Sequence, residues 1–455
     1  MHGSSPRVTR SKRAYTVDVV PVQGDMQGFY KAEKHKRSPY SNMLRSFALQ
    51  ARACRLCGCL FIKDLLAKPP RSPRIVWLHW YTLYAAACFF FYVWFEIDVV
   101  TRNAIELSDT HRFFTKSLLV LLHVVVIVKA CSNFLTMLLG CRKILDFFAM
   151  AGSFERDVDI PSCKCCAQRH FLWHDVAGFL TLVVYFVSYT VALFHQEQKV
   201  DADGEKWAIR EIVDRVCSLF AAILFFTYDS VNFIALRHSA EVLVGYVTHL
   251  RERMEDYVGD RAFPCEMEAA KEVQAMRLHL CTVLELKNCV NGIWQRSVVV
   301  SSVGLLLVTC ISLYTIITEG LQRTELWIAI GYSAFNSYEF LMLAQVSQSL
   351  SNAFQEIKNS CRRTLTMERT ISYSQQAKEL KNVCRRARSF GNAALGYQIQ
   401  LLYDTINPED MAFEGADFFR LKVSLLVSMT ASVITYAVIL RQTSQGINRS
   451  RDAVV

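Results

Sequence analysis

The residue pattern most suggestive of chemistry lies near the end of the 455-residue chain. Between Phe418 and Gln442, polar side chains recur at steps of three or four residues or their multiples: Ser424, Ser428, Ser432, Thr435 and Gln442. At about 100° per residue they share an arc of roughly 80° on one helix, and Ile439 lies inside it. Such an arc could line a water-filled path, or its small side chains could simply allow close helix packing.

Ionisable side chains inside apolar segments are the second set of candidates, because charges within a membrane are costly and therefore tend to be functional or paired. Lys129, Arg296 and Glu339 lie in three different apolar segments, and we expect them to pair with one another. His123 is expected to be an interior, hydrogen-bonded histidine, and it also remains a candidate ligand contact.

Cysteines form two short clusters, Cys54-Cys57-Cys59 and Cys163-Cys165-Cys166. Three fates are compatible with such clusters: acylation beside a membrane, zinc binding by thiolates, or unmodified thiols. The CxxCxC and CxCC spacings are not standard zinc patterns, so no metal site is predicted.

The motifs of common enzymes are not found in the sequence. It contains no P-loop, no HExxH zinc motif, no GxSxG nucleophile turn and no kinase signature. The chain is therefore expected not to be an enzyme and to need no cofactor. Its net charge of +10 falls in segments that would face anionic lipid in the cytoplasm, so membrane lipids are expected partners and nucleic acid is not.

Apolar runs of membrane length must position these residues. The chain is 52% hydrophobic, with a mean hydropathy of +0.20, and its apolar residues are concentrated in runs separated by charged stretches. A bilayer core needs about 20 apolar residues in a helix. Seven spans are predicted, at residues 75–97, 117–140, 171–194, 212–235, 293–318, 326–346 and 418–440. The sequence therefore predicts an all-α, multi-pass membrane protein.

The distribution of basic residues sets the predicted orientation. Of the 51 Lys and Arg residues, 37 lie before the first span or in alternate loops, which places the N-terminus in the cytoplasm and the C-terminus outside. None of the 16 cysteines lies in a predicted outer loop. Both features oppose a rhodopsin-like receptor, whose orientation is the reverse and whose outer loops carry a disulfide.

Two cytoplasmic stretches, within 236–291 and 348–404, are predicted to be helical, and the second carries an apolar stripe that includes Phe354, Ile357 and Cys361. Such helices need a partner to cover their apolar faces, so they are expected to pack together below the membrane, where subunits could meet; alternatively, each packs only on its own chain. The predicted organisation is a basic cytoplasmic region (1–74), four spans (75–235), a cytoplasmic helical extension (236–292), two spans (293–346), cytoplasmic anchor helices (347–417), a last span (418–442) and an extracellular tail (443–455).

The residues around the last span resemble the C-terminal signature of arthropod gustatory receptors, a family related to insect odorant receptors. The lead-in reads MAFEGADFFRL (411–421), and the span ends TYAVILRQ (435–442), with Thr435, Tyr436 and Gln442 at the motif positions. The stretch LELKNCVN (284–291) resembles the family's lead helix before the fifth span. Arg441 and Thr443 depart from the motif, which usually has an apolar residue and a Phe there.

The resemblance implies a ligand-gated, nonselective cation channel that assembles as a homotetramer, or as a heteromer with related receptors, in the plasma membrane. The last span of each subunit would line the central pore. The pore and gate would then involve Ser428, Ser432, Thr435, Ile439, Gln442 and Thr443.

The ligand would be a small tastant bound on the outer side, such as a sugar or another small polar or aromatic compound. Aromatic faces combined with hydrogen-bonding groups suit such molecules. The candidate contacts are His123, Tyr189, Tyr314, Thr315, Trp327, Tyr332 and Asn336. For each one, membership of an aromatic belt or of a satisfied internal contact is the alternative.

Overall fold

The computed structural model describes residues 41–63, 65, 74–75, 80–105, 113–160, 209–258, 266–319, 324–376, 386–415 and 418–452. The predicted third span, Tyr189 and the second cysteine cluster lie outside these residues. All the described residues belong to one compact unit, Pro39–Val455.

Long helices make up most of the described chain. The helices are α1 (Asn42–Ser46), α2 (Ala48–Leu56), α3 (Trp80–Ile105), α4 (Phe113–Asp157), α5 (Ile209–Val258), α6 (Glu266–Glu319), α7 (Thr324–Gln376), α8 (Arg386–Thr405) and α9 (Val423–Asp452). A 3₁₀ turn spans Pro408–Met411. Two antiparallel strand pairs, β1 (Ile62–Lys63) with β2 (Arg74–Ile75) and β3 (Glu414–Gly415) with β4 (Phe419–Arg420), are the only strands in the described ranges.

Five helices of the described chain are long and apolar enough to cross a membrane. The candidate segments are Trp80–Thr101, Val120–Asp157, Val216–Glu255, Glu268–Ile317 and Val423–Thr443, and each overlaps one of the predicted spans. The sixth predicted span lies in α7, whose apolar run is interrupted by polar side chains such as Asn336 and Glu339. The all-α membrane fold is thus confirmed.

Two predicted span boundaries were wrong because strand pairs stand where the spans were expected to begin. Ile75 pairs with Ile62 in the first strand pair, and helix α3 begins only at Trp80. Phe418 and Phe419 belong to the turn and strand of the second pair, and helix α9 begins at Val423. Hydropathy alone could not detect these starts, because Ile75, Phe418 and Phe419 are themselves apolar.

The helical extensions predicted on the cytoplasmic side are present. Helices α5, α6 and α7 continue without a break well beyond membrane length, and α8 packs against α6 and α7. The predicted apolar stripe of α7 is covered within the chain, since Phe354, Ile357 and Cys361 are all buried. Coverage of that stripe therefore needs no second subunit.

The N-terminal segment also has a packing role that its basic composition did not predict. Met43 and Phe47 of α1 and the turn after it are buried against the inner parts of α4 and α5. The carboxylate of Glu155 accepts hydrogen bonds from the backbone N–H of Asn42 (2.6 Å), the N–H of Met43 (3.0 Å) and the hydroxyl of Tyr246. A carboxylate at this position satisfies N–H groups that the first turn of a helix leaves unpaired.

Candidate functional site

A buried ion pair joins three of the membrane helices. Lys129 of α4 places its Nζ 2.6 Å from Oδ1 of Asp229 on α5, and each side chain is only 2% exposed. From α7, the Oδ1 of Asn336 accepts a hydrogen bond from Lys129 Nζ at 2.5 Å, and the hydroxyl of Tyr332 donates to Asp229 Oδ2 at 3.0 Å. The charges are therefore matched and hydrogen-bonded, as buried ions require.

A second polar layer lies one helical turn further along the same helices. Asn133 and Asn232 follow Lys129 and Asp229 by four and three residues. The hydroxyl of Ser297 on α6 donates to Asn133 Oδ1 at 2.6 Å and accepts from Asn232 Nδ2 at 2.8 Å. Four helices thus meet at two adjacent polar layers inside an apolar core.

A second buried ion pair lies beyond these layers, and it corrects the predicted pairing of charges. Arg237 of α5 lies 3.2 Å from Glu339 of α7, and both side chains are almost fully buried. Lys129 pairs with Asp229, and the side chain of Arg296 is exposed. The expectation that Lys129, Arg296 and Glu339 pair with one another was wrong, because the face of α6 that carries Arg296 points away from the interior.

The candidate ligand contacts have different partners in the structure. Tyr332 and Asn336 are part of the buried ion-pair network. Tyr314, which is 1% exposed, packs with Leu118 and Ile311 and lies close to Leu440 of α9. The Thr315 hydroxyl donates to the Ile311 carbonyl at 2.9 Å, and His123 Nδ1 lies 3.4 Å from Glu96 Oε2. The side chain of Trp327 lies outside the described set.

The polar arc of α9 faces away from its own chain. Met429, Val433 and Ala437 form the buried face, which packs on α6 and α7. At 100° per residue, the centre of the polar arc lies about 140° around the helix from that buried face. The arc is accessible to solvent in the single chain: Ser424, Ser428, Thr435, Ile439, Gln442 and Thr443 are exposed, and Ser432 is partly exposed. The motif residue Tyr436 is also exposed.

Hydrogen bonding gives this arc an electronegative surface. The hydroxyls of Ser428, Ser432 and Thr435 donate to the carbonyls of Ser424 (3.3 Å), Ser428 (3.0 Å) and Ala431 (3.0 Å), each four residues back. Because the hydroxyl protons are turned toward the backbone, the oxygen lone pairs remain available on the exposed side. Such oxygens suit water and cations.

The lead-in to α9 is tied to the two neighbouring long helices. The N–H of Phe413 donates to Ser347 Oγ of α7, and the N–H of Glu414 donates to Asn291 Oδ1 of α6, both at 3.0 Å. Arg420 of β4 lies 3.3 Å from Glu414, closing the strand pair. A displacement of α6 or α7 would therefore be transmitted directly to the start of α9.

Gly415 makes the close approach of this strand pair possible. A Cβ atom at this position would lie 2.5 Å from the ring of Phe419. We expect Gly415→Ala to destabilise the protein by about 1–3 kcal/mol, as overpacking does, and to lower its melting temperature by a few degrees. Gly292→Ala is the matched control, because nothing lies within 4 Å of its Cβ position. Equal melting temperatures for the two variants would contradict the packing argument, and Phe419→Leu should partly rescue Gly415→Ala.

The first cysteine cluster is largely inaccessible. Cys54 and Cys59 are buried, and only Cys57 is partly exposed. A hydrogen bond with Cys54, together with burial, raises the pKa of Cys59 well above its ordinary value, and burial raises the pKa of the Cys57 thiol. Cys54 and Cys59 are therefore shielded from an acylating enzyme, and the raised pKa of Cys59 keeps its thiol protonated, which disfavours acylation at these two positions. Within the described ranges, no three His, Cys, Asp or Glu side chains are placed to hold a metal ion.

Comparison with known families gives a match along most of the chain. The family model described as 7tm chemosensory receptor matches residues 52–447. A comparison with curated proteins finds no significant sequence match.

Two solved structures with the same fold are of the insect olfactory receptor OR5 from Machilis hrabei. The complex with eugenol has a TM-score of 0.63, and the structure solved without it has 0.58. In both cases the identity is 12%, and the match covers 88% of this chain and 98% of the other.

Proposed function

This chain belongs to the 7tm chemosensory receptor family and is a multi-pass protein of the plasma membrane; on that basis we propose that it is a gustatory receptor acting as a ligand-gated, nonselective cation channel. A small tastant opens the channel from the extracellular side. The observation that carries the proposal is the arc of α9, which presents polar oxygens on a face that its own chain leaves uncovered.

Four copies of α9 around a common axis explain why this face is both uncovered and polar. In a homotetramer each arc faces the axis, and the four arcs line a water-filled pore. The exposed apolar residues Val427, Ile434 and Val438 lie between the arc and the buried face and contact a neighbouring subunit or lipid. A heteromer with a related receptor is the alternative, since the polar arc of a different subunit could line the same pore.

The gate lies at the outer end of the arc. Ile439, Gln442 and Thr443 are exposed there, and Ile439 is the only apolar member of the arc. A ring of four isoleucines excludes water from a narrow pore, and hydrophobic constrictions of this kind close a channel by dewetting. Thr443, where the gustatory signature has Phe, makes the outer constriction wetter.

The ligand is a small polar or aromatic compound, such as a sugar. The olfactory receptor OR5 was solved in complex with eugenol, a small aromatic molecule. Here the candidate contacts remain His123, Tyr189, Tyr314, Thr315, Trp327, Tyr332 and Asn336. Tyr332 and Asn336 are committed to the ion pair, so they act as the floor of the site, below a ligand that contacts Tyr314 and Thr315.

Ligand binding is coupled to the pore through α6 and α7, the two helices on either side of the ligand. A ligand held between α6 and α7 changes their spacing, and the hydrogen bonds of Ser347 and Asn291 carry that change to the lead-in of α9. Tyr314 provides a second, shorter connection through its cluster with Leu440.

Whole-cell recording from cells that express only this chain tests the proposal. A panel of sugars, bitter compounds and amino acids should evoke a cation current that persists without intracellular nucleotide. Ile439→Ala removes roughly 2 kcal/mol of apolar contact from the closed ring, so the basal open fraction should rise about tenfold or more. Gln442→Ala should alter the current as well.

Ile434→Ala is the matched control, because this exposed isoleucine lies about 120° from the arc. Equal basal currents for Ile439→Ala and Ile434→Ala would count against the pore assignment. A chain that reaches the surface and stays silent alone, but conducts when expressed with a related receptor, would favour the heteromer. A response that requires a G protein would overturn the channel proposal.

A further inference from the structure

We propose that an exposed basic surface beside the first membrane span binds the head groups of anionic phospholipids in the cytoplasmic leaflet. The surface consists of Arg52 and Arg55 of α2 and Lys63 of β1, and we call it the basic face. All three side chains are exposed. Its occupant is a phospholipid with a negatively charged head group, such as phosphatidylserine.

Two hydrogen bonds fix the depth of the basic face. The hydroxyl of Tyr81 donates to the carbonyl of Arg55 at 3.0 Å, and the hydroxyl of Tyr84 donates to the carbonyl of Leu56 at 2.5 Å. Both tyrosines lie in the first two turns of the candidate span Trp80–Thr101. The end of α2 is therefore level with the point where α3 enters the membrane.

Exposed apolar side chains at the same level point to lipid as the neighbour. Leu56 is 74% exposed, Trp80 83% and Leu83 64%. Tryptophan is enriched where the head groups meet the acyl chains. An apolar patch with cations at its edge is the arrangement by which proteins bind the surface of an anionic bilayer.

The charge of this segment has one sign. Residues 41–63 contain no Asp or Glu, and Asp64 is the first acidic residue after them. The Arg55 guanidinium lies 5.7 Å from the centre of the Tyr81 ring, within range of a cation–π interaction that holds it at the membrane boundary. Lipid phosphates and carboxylates are the anions available at that depth.

The opposite side of the segment holds the basic face in place. Ala51 and Cys54 of α2 are buried, as are Leu60 and Phe61 just before β1. The ring of Phe61 packs edge-on against Phe134 of α4, with a centroid distance of 5.9 Å. The cations are therefore preorganised, and binding a lipid requires no folding of the segment.

Titration of the detergent-solubilised full-length protein with dioctanoyl phosphatidylserine, followed by native mass spectrometry, tests the proposal. Each basic residue near a membrane surface contributes about fivefold to binding. The triple variant Arg52→Gln, Arg55→Gln, Lys63→Gln should therefore raise the dissociation constant by roughly 100-fold. Its melting temperature should not change, because the three side chains are exposed.

The matched control removes the same charge elsewhere: Lys271→Gln, Arg362→Gln, Arg363→Gln, at three exposed positions of α6 and α7. We expect less than about a threefold change for the control. Dioctanoyl phosphatidylcholine should bind far more weakly than phosphatidylserine to the unmodified protein. Glycerophosphoserine, which has no acyl chains, should also bind at least about tenfold more weakly, because Leu56 and Trp80 have nothing to contact.

Four outcomes would overturn the inference. Unchanged lipid binding by the basic-face variant would exclude the site, and equal losses in both triple variants would reduce it to a general effect of charge. Equal binding of glycerophosphoserine would reassign the site to a free phosphate. A change in oligomer mass caused only by the basic-face variant would reassign the surface to a contact between subunits.

Discussion

Asp229→Ala is expected to prevent the protein from accumulating in a folded form at the cell surface. The substitution leaves the Lys129 ammonium, which is 2% exposed, without its counter-ion, and it removes the acceptor of the Tyr332 hydroxyl. Breaking a buried ion pair by deleting one partner costs about 3–5 kcal/mol. Total stabilities are about 5–15 kcal/mol. Surface labelling and fluorescence-detected gel filtration would measure the loss.

Neutralising both charges should rescue this variant. Lys129→Met with Asp229→Leu replaces the pair by apolar side chains of similar size, a change that is often neutral or stabilising. Glu255→Ala is the control on the same helix, because Glu255 is 57% exposed and its ion pair with Arg251 is solvated. If Asp229→Ala reached the surface as well as Glu255→Ala, the pair would not be structural. A folded but ligand-insensitive double variant would place the pair in ligand recognition.

Ser432→Leu is expected to abolish cation current while leaving the protein folded and at the surface. Ser432 lies midway along the length of the polar arc. In the proposed homotetramer, four leucines at one level would replace four hydroxyl oxygens by an apolar ring. Narrow apolar rings exclude water and ions. The side chain is only partly buried in its own chain, so the change should cost little stability.

Thr430→Leu is the matched control for Ser432→Leu. Thr430 is also exposed, and its hydroxyl also donates to a carbonyl four residues back, that of Leu426 at 2.9 Å. It lies about 160° from Ser432 around the helix. Whole-cell recording after surface biotinylation would compare the two. Current through Ser432→Leu equal to that through Thr430→Leu would show that the arc does not line the pore.

The sequence predicted best those features that depend on helical periodicity. The arc of α9 and the buried stripe of Phe354, Ile357 and Cys361 both follow from spacing along one helix, since the angle between side chains on a helix is fixed. The continuation of α5, α6 and α7 beyond the membrane was predicted for the same reason.

Partners that lie far apart in the sequence could not be predicted in this way. Lys129 and Asp229 belong to different helices, and their meeting depends on how α4 and α5 are rotated and shifted against each other. Asp229 was overlooked as a candidate although it and Asn232, one turn apart in an apolar run, are a signal of a polar layer. Likewise, the strand pair at residues 414–420 is held by Asn291 and Ser347, which no local pattern connects to it.

The docking of the N-terminal segment has a consequence for the order in which the protein is made. Met43 and Phe47 leave the ribosome first, but the surfaces that bury them belong to α4 and α5. Glu155 and Tyr246, which hold the start of α1, are synthesised about 110 and 200 residues later. During translation this apolar stretch has no native partner until several spans have been inserted. Docking of the N-terminal segment is therefore a late step in the folding of the chain.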